Sequence, residues 1–535
     1  MWRKRLFGVV AIVLLALGAM TGTAHATGGD RTGANVGADM SGISHVDTNG
    51  TSGLPHVANA RDVATQTSKN TLAINMVWLM VGGVLVLFMQ AGFALVETGF
   101  TQAKNASHTM MMNLVIFALG VMGWYICGYA FMFGSTAQSV IGLHALGTSW
   151  HVGHWNLLAH SGFFLGGNAY DVSVLGFFFF QLVFMDATAT IPTGAMAERW
   201  KFSSFCVWGL FASMILYPVY GNWVWGGGWL SQLGVLGPKL GHGAVDFAGS
   251  GVVHAMGGVA AFWGAKILGP RIGKFDRDGK PRAIPGHHIP MAMLGTFVLL
   301  VGWMGFNGAS TFAGSDLRFT VVIVNTILAS ATGCLACMFV MWRVFGKPDP
   351  SMTANGLLAG LVAITAPCAF VAPWAACVIG AVAGLLVVGV VVFVERVLKI
   401  DDPVGAVAVH GANGLWGLLA VGLFADGTYG NGLNGVDGFV KGLFYGDAGQ
   451  LGAQLVNMIT LIVWCSVASV VFFTILKNTV GMRSKEEHEI AGLDLPEMGA
   501  LAYPDFLEAQ GPVFAPIGNA SVATSAKALR EEVAG

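Results

Sequence analysis

Charged residues are scarce in this chain. Asp, Glu, Lys and Arg together make up 10% of its 535 residues, and the formal net charge is -1. Soluble domains carry roughly a quarter charged residues, so the composition excludes a conventional water-facing surface. The small net charge also excludes the concentrated basic face that nucleic acid requires, and we expect no nucleic-acid partner.

Cysteines and catalytic motifs are also sparse. The 7 Cys residues lie in or beside apolar runs and do not form the even framework of a disulfide-rich secreted protein. The apolar runs contain no recognisable nucleophile, metal-ligand cluster or cofactor motif. The sequence therefore gives no reason to expect an enzyme, a bound metal or a cofactor.

Apolar residues are what the chain has in abundance, at 55%, with a mean hydropathy of +0.67. From Thr71 onward, apolar runs of about twenty residues recur, each long enough to cross a bilayer. Such runs must be helices, because in lipid the backbone satisfies its own hydrogen bonds. We predict an all-α polytopic protein in a lipid bilayer, with about eleven spans. They are near 71–95, 109–134, 172–196, 203–224, 249–268, 287–309, 319–344, 352–370, 374–398, 405–425 and 450–476.

The N-terminal residues have the pattern of a targeting segment. Three basic residues precede an apolar core from Leu6 to Met20, and the tripeptide A-H-A, which ends at Ala26, closes the segment. This pattern predicts a signal peptide that is cleaved after Ala26. The predicted organisation is a signal peptide at 1–26, a polar periplasmic extension at 27–70, a membrane domain at 71–476 and a cytoplasmic tail at 477–535.

Basic residues are unevenly distributed between alternate connections of the predicted spans. If the first span begins outside, one set of connections and the tail carry nearly all the Lys and Arg. The opposite set holds Lys239, Arg318 and Lys441. The positive-inside rule then places the C-terminus in the cytoplasm, and an odd number of spans leaves the mature N-terminus in the periplasm. We therefore expect a multi-pass protein of the inner (cytoplasmic) membrane.

A weak internal repeat relates the predicted fifth and tenth spans. His254 follows Asp246 by eight residues, His410 follows Asp402 by the same number, and a Gly stands four residues beyond each His. Spans separated by five crossings run in opposite directions, so the two copies would form an inverted repeat. Inverted repeats are common in transporters and place the substrate site where the two halves meet.

Both repeated histidines lie inside apolar spans. An imidazole at membrane depth costs free energy unless it faces a bundle interior or a pathway. Core histidines that bond to each other or to the backbone are the alternative, but the matched positions of His254 and His410 favour a pathway. A metal site has little support, because no Cys, Asp or Glu stands at ligand spacing beside either residue.

Each of the other candidate residues can be interpreted either as structural or as functional. Asp246 begins the fifth span, where a helix N-cap is favoured over a cation-attracting carboxylate. Trp225 stands beside a run of glycines at an outer membrane face, where most Trp belong to the interfacial belt. Phe184 and Phe306 are ordinarily packing residues. Phe306 and Ser310, however, occur among small residues that leave room for a cation to meet aromatic faces and a hydroxyl.

Characteristic segments occur in order between about residue 71 and residue 505. They are GFALVETG, FQLVF, GAMAERWKFS, WVWGGGWL, DFAGSGVVH, GWMGFNGAS and DDPVGAVAVHGANGLWG. The chain thereby resembles the ammonium transporter (Amt/Rh) family, and its bacterial Amt branch more than its Rh branch. The resemblance implies an inverted pseudo-twofold repeat of five spans plus one, a homotrimer in a bacterial inner membrane, and one pore through each subunit.

The resemblance also implies a role for each candidate residue in the passage of ammonium. The implied roles are twin pore histidines for His254 and His410, a phenylalanine gate for Phe184 and Phe306, and ammonium recruitment for Trp225, Ser310 and Phe184 with support from Asp246. In the implied mechanism, ammonium loses its proton at the outer vestibule and neutral ammonia crosses a hydrophobic pore. The proton moves separately through the histidine pair. Ammonia suits this route because a bare cation in hydrocarbon is prohibitively costly.

Regulation and two alternative functions stay open in the sequence. The resemblance implies a tail that contacts neighbouring subunits and a PII-type signalling protein at the cytoplasmic face. The family's E-H-G motif reads here as Glu497-Met498-Gly499. An ammonium sensor is one alternative, although the tail at 477–535 is short for a signalling domain. A passive ammonia or carbon dioxide channel is the other, and it would carry no current.

A long outer loop is predicted at about 135–171. It carries four histidines, at positions 144, 151, 154 and 160. Histidines in such a loop can bind a metal or buffer protons near neutral pH, and we favour the solvated, proton-buffering interpretation.

Overall fold

The computed structural model describes residues 60–504, and most of them are helical. The principal helices are α1 Ala60–Phe100, α2 Ala106–Gly123, α3 Tyr129–Phe133, α4 Val172–Ala195, α5 Phe202–Phe211, α6 Tyr217–Val224, α7 Met256–Leu268, α8 Ile289–Gly308, α9 Phe319–Phe345, α10 Pro350–Ile364, α11 Pro373–Arg396, α12 Asn413–Phe424, α13 Ala448–Thr479 and α14 Glu486–Ala491. Two strands, β1 Ser149–Val152 and β2 Trp155–Ala159, form an antiparallel hairpin. The predicted signal peptide at 1–26 and most of the extension at 27–70 lie outside the described residues.

Several transmembrane helices contain a π-helical turn. Such turns join α2 to α3 at Trp124–Gly128 and α5 to α6 at Ala212–Leu216. Two more, Ser250–Ala255 and Val407–Ala412, precede α7 and α12. Single π turns inside helices occur frequently at functional sites, and the last two carry the repeated histidines.

The prediction of an all-α membrane protein is confirmed. Within residues 60–504, ten helical segments are long and apolar enough to cross a membrane. The eleventh predicted span, near 352–370, corresponds to the shorter apolar helix α10, which has 15 residues. At 1.5 Å per residue this helix is about 22 Å long, which is shorter than the hydrocarbon core.

The early end of α10 has a structural cause. Thr365 and Ala366 follow the helix, and their carbonyl groups accept hydrogen bonds from the backbone N–H groups of Ala248 and Phe247. The Ser250 hydroxyl donates to the carbonyl of Val362 and accepts from the N–H of Ala366. Backbone groups freed at this depth are therefore paired inside the protein, as a membrane interior requires.

The first helix begins earlier than the sequence pattern predicted. Helix α1 starts at Ala60, so part of the segment assigned to the polar extension is helical. Local side-chain bonds accompany this polar end: Gln66 donates to Asn70, and the Ser68 hydroxyl donates to the carbonyl of Ala64. Hydropathy marks the part of a helix that lies in lipid and does not report a helix that continues into water.

The described chain has two ends, which we name by the segments they carry. The hairpin face holds β1 and β2, and there Asn156 accepts a hydrogen bond from the N–H of Trp229. The tail face holds the C-terminal segment 480–503. That segment is anchored to its own subunit by Glu497, which accepts from the N–H of Phe202 and from the Ser484 hydroxyl.

A buried cluster of charges stabilises the tail face. The guanidinium of Arg271 donates to both oxygens of Asp401 at 2.8 and 2.9 Å and lies 3.2 Å from Glu198. Arg199 donates to the backbone carbonyl of Asp401. Burial opposes ionisation of Asp401, but the Arg199 and Arg271 guanidinium groups hold its pKa well below the usual range. The cluster fixes Asp401, the residue immediately before Asp402, at which the second repeated segment begins.

Candidate transport pathway

The two repeated segments fold alike, from the capping carboxylate to the histidine. Asp246 accepts hydrogen bonds from the N–H groups of Gly249, Gly251 and Val252. Asp402 caps its own segment in the same way. The predicted N-cap role of Asp246 thus matches the geometry, because a carboxylate satisfies N–H groups that have no partner at a helix start.

A left-handed glycine lies three residues after each capping Asp. Gly249 has φ of 113° and Gly405 has φ of 80°. A side chain at this conformation is strained, whereas glycine adopts it freely. The spacing of Asp, Gly and His is therefore the same in both copies. The glycines at these two positions are a sequence signal that the repeat analysis missed.

The two copies enter the molecule from opposite faces. Asp246 belongs to the hairpin side, whereas Asp402 follows the charge cluster on the tail face. The backbones of the two segments are in direct contact at glycine residues. A Cβ at Gly258 would lie 2.1 Å from the backbone N of Gly411, and one at Gly414 would lie 2.3 Å from the carbonyl of Ser250. Small residues permit this backbone contact, which brings the two π turns together.

The histidines meet where the two copies cross. Nδ1 of His254 lies 3.2 Å from Nδ1 of His410, and the rings are stacked at 26°. One ring must donate and the other accept, so the pair holds one proton between its facing nitrogens. Nε2 of His254 is buried and has no hydrogen-bond partner among the described residues. A buried imidazole nitrogen without a partner is available to a passing molecule.

An aromatic column continues from the histidine pair toward the hairpin face. The Phe306 ring stacks on His254 at 5.4 Å, and Phe184 lies 4.2 Å from Phe306 between ring centroids. Trp225 meets Phe184 edge-on at 6.2 Å. Phe184, Phe306 and His254 are each at most 1% exposed. The structure therefore brings together five of the residues singled out in the sequence.

A larger cavity lies at the end of this column nearer the hairpin face. Its volume is about 170 Å³, and Trp225, Asp246, Ser231, His242 and Phe370 are among its lining residues. The Trp225 indole donates to the backbone carbonyl of Asp246 at 2.6 Å, which fixes the ring at the cavity wall. Burial raises the pKa of the Asp246 carboxyl to about 6, and its N–H partners oppose the rise. At neutral pH the carboxylate is ionised and favours cations in the cavity.

Ser310 is placed close to the column but is bonded elsewhere. It follows Phe306 by one helical turn, and its hydroxyl donates to the Phe306 carbonyl at 2.7 Å. Within the described part of the chain, no hydrogen bond joins Ser310 to Trp225. The hydroxyl oxygen keeps its acceptor capacity, because a hydroxyl that donates one bond still has lone pairs.

A second, smaller cavity lies on the other side of the histidine pair. Its volume is about 20 Å³, and His410, Phe93, Glu97 and Asn355 are among its lining residues. The Phe93 ring lies 6.1 Å from His410. Buried aromatic and imidazole rings thus separate the two cavities.

Trp303 is a contact of the histidine pair that sequence reasoning missed. Its indole stacks on His254 at 5.0 Å and 20°, and its N–H donates to the Thr365 hydroxyl at 2.9 Å. Trp303 stands three residues before Phe306 on α8, so both rings project from the same helix face. That spacing was a usable signal in the segment GWMGFNGAS.

The histidine-rich outer loop contains β1 and β2 rather than irregular chain throughout. His151 lies on β1, and the Trp150 and His160 rings are 5.3 Å apart. Residues 60–504 contain no group of three or more His, Cys, Asp or Glu that could hold a metal ion.

The fold and the histidine–aromatic column define a polytopic membrane transporter. A family model described as the Ammonium Transporter Family matches residues 77–503. The chain is 45% identical to the ammonium transporter Amt2 of Archaeoglobus fulgidus over 453 residues, which cover 84% of this chain and 92% of that protein. It is 36% identical to Amt1 of Haloferax mediterranei, over 84% of this chain and 83% of that protein.

Solved structures agree with the sequence comparisons. A structure named Sensor Amt Protein is 35% identical, has a TM-score of 0.68, and corresponds to 80% of this chain and 98% of its own. Candida albicans Mep2 is 27% identical, with a TM-score of 0.67 over 84% of this chain and 94% of its own.

The chain belongs to the ammonium transporter family. Its relatives are named as ammonium transporters, so it is a transporter and not an enzyme. The predicted function of ammonium transport is confirmed and is supported over that of a sensor.

Proposed function

We propose that ammonium loses its proton at the outer end of the column and that ammonia alone crosses to the inner cavity. The observation that carries this proposal is the chain of buried rings between the two cavities, from Phe184 through Phe306 to His254. A hydrated cation does not fit between stacked rings, and a bare cation in an apolar passage is costly. Ammonia is neutral and small, and it has three N–H donors and one lone pair for hydrogen bonding.

Recruitment takes place in the cavity lined by Trp225. The Trp225 indole presents an aromatic face to a cation, with Phe184 behind it at 6.2 Å, and the ionised Asp246 in the cavity lining adds a favourable potential. The Ser310 hydroxyl supplies an acceptor near Phe306. Ammonium satisfies these groups with its charge and its four N–H donors. Potassium is excluded because it has no proton to release before the dry passage.

The histidine pair offers the released proton a route of its own. Its facing Nδ1 atoms share one proton, and the unpartnered Nε2 of His254 is free to take another from the outer side. A proton can then pass from His254 to His410 when the hydrogen bond between them is exchanged. Transport by this mechanism carries one net charge for each ammonium taken up.

A passive gas channel remains the competing function. It uses the same dry column but leaves the proton outside, so it moves ammonia or carbon dioxide without current. The measurement that separates the two is the current across proteoliposomes after an ammonium pulse, with potassium as the control. An ammonium-specific current supports the proposal. Fast ammonia equilibration without current would replace it with a gas channel.

The assembly and the setting are part of the same proposal. We infer a homotrimer in a bacterial inner membrane, with the hairpin face in the periplasm and the tail face in the cytoplasm. The tail face carries Arg199, Lys201, Arg271, Lys274 and Arg483, in agreement with the positive-inside rule. A PII-type signalling protein would bind there. Native mass spectrometry tests the trimer, and co-purification with a PII-type protein tests the partner.

A further inference from the structure

Glu97 is a buried carboxyl group that the pathway described above does not use. It stands near the end of α1 on the tail side of the histidines, and it is 3% exposed. Its side chain lines the inner cavity together with His410. Phe93, one helical turn earlier, lies against His410 in the same cavity. Glu97 is therefore within the first open space that follows the histidine pair.

The hydrogen-bond partners of Glu97 are neutral. Asn113 donates to its Oε2 at 2.7 Å, and Gln90 in turn donates to the backbone carbonyl of Asn113. The Thr190 hydroxyl donates to Gln90 and completes a buried polar chain. Among the described ion pairs, none includes Glu97. This distinguishes it from Asp401, which is matched by a buried arginine.

A carboxyl group at membrane depth without a countercharge is costly and calls for a functional partner. The cavity offers room for a water-sized molecule, and both Glu97 and His410 line it. Ammonia has about the size of water. A molecule that leaves the histidines toward the tail face thus meets Glu97 before it reaches the surface.

We propose that Glu97 is the inner binding site for ammonium, the counterpart of the recruitment site at Trp225. Ammonia that has passed the histidines accepts a proton there, and its lone pair forms the fourth N–H bond. The proton is the one that the histidine pair delivers, so His410 returns to its neutral form. The Glu97 carboxylate holds the resulting cation by charge and hydrogen bonding until it leaves. This inference rests on the proposed separate passage of ammonia and proton.

The test compares the two faces of the membrane. Currents are measured in right-side-out and inside-out vesicles, with ammonium supplied to one face at a time. Glu97→Gln keeps the volume and an acceptor oxygen for Asn113 but removes the charge. We expect the half-saturation concentration for ammonium supplied to the tail face to rise about tenfold, the usual loss for one charged hydrogen bond. The value for the hairpin face should stay unchanged.

Two further variants serve as controls. Asp186→Asn also removes a buried carboxyl group, but Asp186 does not line either described cavity, and we expect no change at the tail face. Trp225→Leu should show the reverse pattern: the half-saturation concentration should rise for ammonium supplied to the hairpin face and stay unchanged for the tail face. If Glu97→Gln fails to insert, Glu97→Asp is measured. That variant keeps the charge on a shorter side chain and should show a smaller rise at the tail face alone.

Unchanged half-saturation at the tail face, or equal changes at both faces, would overturn the assignment of Glu97. The proposed function itself would be overturned if the wild-type protein equilibrated ammonia without any current. That result is seen before a variant is measured. The two failures are therefore distinguishable.

Discussion

Gly258 is the position where the smallest change should separate the two histidines. In the Gly258→Ala variant the new Cβ would lie 2.1 Å from the backbone N of Gly411. Ordinary contacts begin at 3.4 Å, so the two backbones must move apart by roughly 1 Å. The neighbouring atoms are main chain and cannot turn aside. The Nδ1 atoms of His254 and His410, now 3.2 Å apart, would then leave hydrogen-bond range.

We expect two measurable consequences of this separation. Overpacking should destabilise the folded protein by about 2 kcal/mol, which a lower midpoint of thermal unfolding in detergent would report. The ammonium current should fall up to about 100-fold, because misplacement by 1 Å can cost that much in a positioned proton transfer. Potassium is included in the same assay to detect a loss of selectivity.

Gly389→Ala is the matched control for this substitution. Gly389 lies on α11, and a Cβ there meets nothing within 4 Å. Ala favours the helix by about 0.5–1 kcal/mol over Gly, so this variant should be as stable as the wild type or slightly more so. Wild-type current and stability in Gly258→Ala would refute the argument that glycine contact sets the histidine pair.

Three other substitutions test separate parts of the structure. Trp225→Leu removes the aromatic face of the outer cavity and should raise the half-saturation concentration for ammonium uptake; unchanged kinetics would remove Trp225 from recruitment. Arg271→Met leaves Asp401 buried with one partner fewer and should cost about 3–5 kcal/mol of unfolding free energy. In the wild type this stabilisation is present at neutral pH, above the pKa of the Asp401 carboxyl in the unfolded chain, and is lost as the pH falls toward the depressed pKa of the folded state. An unchanged free energy of unfolding at pH 7 in the variant would contradict the role of the cluster. Thr365→Val leaves the buried Trp303 N–H without its acceptor, which should lower the free energy of unfolding by about 1–3 kcal/mol. Because the Trp303 ring would then shift on His254, the ammonium current should fall. A full current would show that the ring position does not depend on this hydrogen bond.

The sequence pattern predicted the membrane architecture well, because long apolar runs directly indicate which segments are surrounded by lipid. The prediction of about eleven helical spans in an inverted repeat follows from apolar length and matched spacing, and ten segments of residues 60–504 are long and apolar enough to cross a membrane. The matched spacing also singled out His254 and His410, whose rings meet in the structure. The orientation that the charge asymmetry between connections predicts stays a prediction. The length of an apolar run and the spacing of repeated residues can be read from the sequence without knowing which distant segments are in contact.

Other features depend on contacts between distant segments, and the sequence pattern did not predict them. The 15-residue length of α10 follows from carbonyl groups that pair with Phe247 and Ala248, more than a hundred residues earlier. The π turns follow from capping and left-handed glycines together. Glu97 stood in a quoted segment, GFALVETG, but nothing local showed that its carboxyl group faces the same cavity as His410.

The most direct test of the account is the ammonium current of His254→Ala and His410→Ala beside the wild type. The proteoliposome assay includes potassium, and the oligomeric state of each variant is checked by native mass spectrometry. We expect each variant to assemble as the wild type does, and its coupled ammonium current to be lost or its selectivity against potassium to be changed. Wild-type current and ion selectivity in both variants would contradict a proton route through the histidine pair.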